Sequence, residues 1–282
     1  MKNDLHGAII VNKPTNITSR DVVNILCKKF NTKSIGHIGT LDPLATGVLV
    51  CLIGKYTRLT NILINHDKEY IATFKLGLLT DTLDITGKVI KEEKYSLNET
   101  KLKKVLKSFT KSYMQEVPIY SSVKINGKKL YEYARNNETV SLPKRKVTIY
   151  SLELLNIKDN EITIKTKVSK GTYIRSLIRD IGASLNTYAT MTSLNRTLLG
   201  DFKIEDSYTL EDINNDNFKI LSLEDILDIN IINLNEADLF KVKNGQILNY
   251  NTDKYILFKY QDENIALYQK YNSDKIKPLI MF

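Results

Sequence analysis

Between Tyr70 and Leu76 the chain alternates, with Tyr70, Ala72, Phe74 and Leu76 on one face and Ile71, Thr73 and Lys75 on the other. That period of two marks a strand buried on one side only, and such a strand needs neighbours. Turn chemistry says of which kind. Val147 to Leu155 and Ile162 to Val168 are apolar runs closed by Asp159-Asn160, and Asn126-Gly127 separates Ser122–Ile125 from Lys128–Leu130. Both read as hairpins, so antiparallel pairing dominates. Helical spacing intervenes. Thr18 or Ser19 caps a helix with Asp21 in capping-box position and Val22, Leu26 and Phe30 on one face. Asn98 caps a second, with Leu102, Val105, Leu106 and Phe109 as its stripe; Tyr56 to Ile64 and Tyr173 to Leu185 predict two more. Gly7 to Val11 and Val48 to Ile53 are further apolar strands. The pattern predicts an α+β domain around a mixed, mainly antiparallel sheet with flanking helices.

The stretch 201–240 reads as helical and loop-like. Tyr255 to Tyr260, Ile265 to Tyr271 and Ile276 to Met281 predict three short strands, a small β-rich unit over 231–282 behind a main domain over 1–230. A length of 282 residues is ample for a buried core. Met1-Lys2-Asn3-Asp4 opens with one basic residue and no apolar run behind it, and nowhere do about 18 apolar residues run together. The expectation is a cytoplasmic protein with no membrane span. Cys27 and Cys51 match no zinc or redox spacing and read as small buried hydrophobes.

Charge is unevenly spread. The chain carries 41 Lys and Arg against 32 Asp and Glu. Residues 1–200 hold 32 basic and 17 acidic side chains, a net of +15, whereas residues 201–240 hold 2 and 11, a net of −9. A long basic segment suits a polyanion, because phosphate contacts supply the sequence-independent part of affinity.

The segment Gly36-His37-Ile38-Gly39-Thr40-Leu41-Asp42-Pro43-Leu44-Ala45-Thr46-Gly47 places three of twelve glycines within one loop. Pro43 drives Asp42 into extended geometry. One carboxylate is thereby presented on a stiff loop beside a strand; an Asp that merely caps a turn is the plainer alternative.

This segment closely resembles the signature loop of the tRNA pseudouridine-55 synthase (TruB) family. Asn12-Lys13-Pro14, Asp67-Lys68-Glu69-Tyr70, Thr80-Asp81-Thr82-Leu83-Asp84 and Gly127 to Arg135 match the same family in the same order, as do Lys170 to Leu177 and Leu194-Asn195-Arg196. The resemblance covers about residues 5 to 200. It implies that Asp42 is the catalytic nucleophile and that Arg175 pairs with it. It implies that Tyr70 stacks on the target base, that Tyr173 and Leu194 line the same pocket, and that His37 inserts into the RNA loop as the base turns out. Lys13 and Asp84 take supporting roles. The implied reaction is a redox-neutral isomerisation needing no cofactor and no metal. The implied substrate is the T-arm of tRNA, bound by a monomer without a protein partner, and the C-terminal strands resemble a PUA-type RNA-binding module. A guide-RNA-dependent synthase and a tRNA chaperone without catalysis are the competing readings.

Overall fold

The computed structural model describes residues 5–282, so the expectation resting on Met1-Lys2-Asn3-Asp4 lies outside the described residues. Its main element is a nine-stranded sheet. Across it run Gly7–Lys13, Thr46–Ile53, Ala189–Leu199, Lys68–Leu76, Glu161–Val168, Lys144–Lys158 and Ser112–Glu116, with Ile35–Ile38 on Thr46–Ile53 and Phe202–Lys203 on Ala189–Leu199. Every pairing is antiparallel except that of Asn195 and Arg196 with Thr46 and Gly47. The sheet is mixed and mainly antiparallel, and the alternation from Tyr70 is its central strand.

Local chemistry explains the elements. Thr18 Oγ1 accepts from Asp21 N (3.1 Å) and Asp21 Oδ2 accepts from Thr18 N (2.8 Å), a reciprocal cap that starts the Ser19–Lys29 helix. Asn98 caps Glu99–Phe109 through Lys101 N (2.9 Å). Asn126 and Gly127 both take positive φ, as a two-residue hairpin requires. The segment expected as one helix from Tyr56 divides into a 3-10 turn, Gly54–Leu59, and a short helix, Thr60–Leu63. Cys51 is buried and Cys27 half-buried, and both thiols are free.

The helices Ser19–Lys29, Glu99–Phe109 and Ile174–Ser184 cover one face of the sheet, around Ile9, Leu49, Phe74, Ile164, Leu177 and Ile181. The other face, from Ala8, Ile10, Val48, Val50 and Leu52, meets a second sheet. That sheet orders Ile229–Asn233, Tyr255–Tyr260, Glu263–Lys270, Lys275–Met281 and Leu248–Asn249. Its strands turn Leu257, Leu267 and Ile280 toward the large sheet, and Ile256, Phe258 and Tyr268 into a small core with Val242. The strand Ile229–Asn233 was not foreseen: it pairs in parallel with Tyr255–Tyr260 and straddles the expected boundary at 230/231.

The acidic stretch has a mechanical use. Leu221 exchanges backbone hydrogen bonds with Ala8, and Tyr208 bonds to Ile10 and Asn12. It therefore runs along the outer edge of Gly7–Lys13 and closes a strand edge that would otherwise invite pairing with another chain. Among the described residues no helix is long and apolar enough to cross a membrane.

Candidate active site

The Asp42 loop is fastened at each end. Gly39, at φ +67°, leads into it, and its carbonyl accepts from Arg196 Nη2 (2.7 Å) while Arg196 Nε donates to Val48 O (2.7 Å) just beyond the loop. The Ser19 hydroxyl donates to Leu41 O and accepts from Leu41 N (3.1 and 2.9 Å). Pro43 O accepts from Asn16 N (2.8 Å) and from the fully buried Lys13 Nζ (3.4 Å), which also donates to Ile17 O and Pro14 O. Gly47, at φ +99°, lies so close to Arg196 and Asn195 that a Cβ there would stand 2.3 Å from Arg196 O and from Asn195 Oδ1. Backbone carbonyls thus absorb two buried cations, and the reward is a carboxylate held at a fixed point.

Asp42 faces the Ile174–Ser184 helix. Arg175, 6% exposed, donates from Nη2 to Asp42 Oδ2 (2.9 Å) and to Tyr120 O (3.0 Å), and from Nη1 to Thr82 O (2.9 Å). Asp84 Oδ2 lies 3.7 Å from Nη1. Asp84 in turn accepts from Thr82 Oγ1, Thr86 N and Thr86 Oγ1, bonds that shape a turn in which Leu83 takes φ +64°. The guanidinium therefore bridges two carboxylates and two carbonyls, a use that its fixed fork permits and an ammonium does not. The Asp42 side chain stays 39% exposed, yet the protein packed around it pushes its carboxyl above the ordinary range; Arg175 pulls it back and Asp84 adds to the rise.

Asp42 opens into a cavity of about 1040 Å³, whose lining includes Tyr70, Tyr173, Thr82, Asp84, Tyr120 and Arg175. Around it stand Lys68, Arg135, Arg145, Lys146, Lys170 and Arg196, none within 4.0 Å of a carboxylate among the described residues. Arg145 lies over the Tyr173 ring, 5.6 Å from its centroid. A second cavity of about 550 Å³ is walled by Asp201, Glu205, Asp206, Glu224, Asp225 and Asp228 and repels a polyanion. No group of three or more His, Cys, Asp or Glu suited to a metal occurs among the described residues.

Of the residues singled out from sequence, Asp42, Tyr70, Tyr173 and Arg175 converge on the cavity, with Lys13 behind the loop. Two do not line it. His37 sits half-buried on Ile35–Ile38, its Nε2 3.4 Å from Thr40 Oγ1, and burial followed by Arg20 and Arg196 lowers its pKa. Leu194 is packed into the main core, in the same cluster as Tyr70. Sequence reasoning assigned no role to Arg196, the clamp of the loop, or to Gln115. Gln115 is fully buried and accepts from Tyr173 N (2.8 Å) at the start of the Arg175 helix. Arg196 had a signal, since it closes the Leu194-Asn195-Arg196 motif; Gln115 had none.

The match of residues 27–174 is to the N-terminal domain of TruB family pseudouridylate synthases, and that of 175–237 to a tRNA pseudouridylate synthase B C-terminal domain. The chain is 42% identical over 276 residues to tRNA pseudouridine synthase B of Mesoplasma florum, covering 96% of each protein. It is 45% identical over 283 residues to that of Fusobacterium nucleatum, covering 97% of this chain and 98% of the relative. Among solved structures it is similar to a chain of a Cbf5-Nop10-Gar1 complex, with a TM-score of 0.68 and 26% identity over 95% of this chain and 79% of the other. A chain of an H/ACA RNP bound to a substrate RNA containing 2′-deoxyuridine shares the fold at a TM-score of 0.69, with 24% identity over 98% of this chain and 84% of the other.

Proposed function

Since the chain belongs to the TruB family of pseudouridylate synthases, we propose that Asp42 is the carboxylate with which it isomerises uridine to pseudouridine at position 55, in the T-loop of tRNA. The observation that carries this reading is the Asp42–Arg175 pair in a cleft whose other cations have no carboxylate partner among the described residues. In the reaction the N1–C1′ bond breaks, the base rotates, and a C5–C1′ bond forms; the C5 proton leaves and N1 gains one. Electrons balance without an oxidant or reductant. A carboxylate serves as nucleophile in such sugar chemistry, as in glycosidases. Arg175 keeps Asp42 ionised and oriented.

The uridine must turn out of its stack, at a cost of a few kcal/mol, and stacking on one aromatic returns about 1–3 kcal/mol. Tyr70 provides that stack, with its hydroxyl as the acceptor of the C5 proton, and Leu194 supports its ring from the core. Tyr173 forms a second wall. His37, near the loop's rim, fills the space the base leaves. Phosphate contacts from the unpaired cations supply the remainder. The C-terminal sheet acts as a PUA-like module, with its unit beginning ahead of Ile229. The enzyme works in the cytoplasm as a monomer. Incubating the protein with an unmodified T-arm stem-loop and mapping pseudouridine at single-nucleotide resolution tests the reading: one modified position in the loop supports it, and no product rejects it.

A further inference from the structure

Lys68 and Tyr70 point to the same face of the Lys68–Leu76 strand, where buried and half-buried residues alternate. Arg196 is the direct antiparallel partner of Tyr70 on Ala189–Leu199, so its side chain leaves the sheet beside the tyrosine. Lys68 is 8% exposed and Arg196 1% exposed, and both line the cavity. Neither has a carboxylate within 4.0 Å among the described residues. Asp67, next in the chain to Lys68, accepts from the Tyr150 hydroxyl. Lys68 Nζ donates to His66 O (2.6 Å) and Ile64 O (3.4 Å), and Arg196 uses Nε and Nη2 on the Asp42 loop. Among the described residues, one ammonium hydrogen of Lys68 and the Nη1 group of Arg196 have no protein acceptor.

Two buried like charges side by side are costly, since each loses hydration and repels the other. Burial, and then Arg196 beside it, pushes the Lys68 ammonium down to about 8. Each group keeps two carbonyl acceptors, and the repulsion left between them is relieved by one anion placed between the two, where planar and point-charge donors both hold an oxyanion well. We propose that Lys68 and Arg196 form a subsite for a phosphodiester flanking the nucleotide whose base stacks on Tyr70. This subsite grips the turned-out nucleotide by its backbone while the base lies on the ring and Asp42 addresses the sugar. It rests on the reading of Tyr70 as the stacking residue.

The test pairs Lys68→Met, which keeps the length of the side chain and removes its charge, with RNA in which an uncharged methylphosphonate replaces the linkage 5′ or 3′ of the target uridine. For the wild-type chain, one of the two replacements should weaken equilibrium binding of the T-arm stem-loop roughly ten- to hundredfold, the worth of a charged hydrogen bond. Lys68→Met should show a similar loss on native RNA and less than about twofold further loss on that modified RNA. Its resistance to urea should stay close to that of the wild type, because the two lost carbonyl bonds are offset by removal of a buried charge beside Arg196. Lys68→Arg should recover part of the binding. Losses that multiply for both linkages overturn the proposal, as does a Lys68→Met protein that binds native RNA like the wild type. Pseudouridine formation by the wild-type chain reports separately: coupled losses without product would leave the phosphate site standing and remove the enzyme reading, and product with multiplicative losses would do the reverse.

Discussion

Arg175→Lys preserves charge and removes shape, so it isolates what the guanidinium does by geometry. Arg175 reaches Asp42, Thr82 O and Tyr120 O at 2.9, 2.9 and 3.0 Å from the two terminal nitrogens of one planar guanidinium. A single ammonium spans at most part of that set. Hydrogen bonds to a charged group are worth about 1.5–3 kcal/mol each, so losing one carbonyl bond should cost about that much stability, readable in urea unfolding. The fold should survive. Catalysis should suffer more, because Asp42 is aimed by the same nitrogen that holds Tyr120 O, and a displacement of about 1 Å in a reacting group costs on the order of 10²-fold. Single-turnover isomerisation of a T-arm stem-loop, with saturation shown by binding, measures the chemical step alone. A folded Arg175→Lys protein that turns over within about threefold of the wild type would refute the assignment.

Asp84→Asn removes a charge that raises the Asp42 carboxyl, so the acid limb of the single-turnover rate should move to lower pH; movement upward would contradict the electrostatics. The sign follows from catalysis needing ionised Asp42: its carboxyl lies above the ordinary aspartate range, activity is lost as pH falls through it, and a lower value extends activity downward. Tyr70→Phe should leave RNA affinity within about threefold and stall the reaction late, and full product at the normal rate would limit Tyr70 to stacking. Gly47→Ala forces a Cβ to 2.3 Å from Arg196 O at φ +99° and should cost more than about 3 kcal/mol in urea unfolding, whereas Gly127→Ala, at φ +81° with nothing within 4 Å, should cost only about 1–2 kcal/mol.

Much of this was legible in the chain because local chemistry and fold agree. The Thr18–Asp21 box, the Asn98 cap, the Asn126-Gly127 turn and the hairpin at Asp159, with φ +55°, are decided by neighbours in sequence. The Asp42 loop was legible for the same reason: Pro43 and the bracketing glycines fix its backbone. What escaped notice is decided at a distance. Ala189–Leu199 is a central strand, yet Thr190, Asn195 and Arg196 break its apolar pattern because they bond to Leu78 O, pack on Gly47 and clamp Gly39. Ile229–Asn233 sits in an acidic stretch and is only half covered, so its strand character depends on Tyr255–Tyr260 beside it. The Arg175–Asp84 approach joins segments 91 positions apart through a turn whose strained Leu83 no pattern predicts.

Asp42→Asn tests the central claim most directly. The change keeps the size of the side chain and removes its charge and nucleophilicity, leaving the loop's fastenings at Gly39, Leu41 and Pro43 intact. Binding of the T-arm stem-loop and pseudouridine formation should be measured on one preparation. Binding within about threefold of the wild type together with no detectable pseudouridine is the predicted result. Conversion by Asp42→Asn at a rate near the wild type would contradict it.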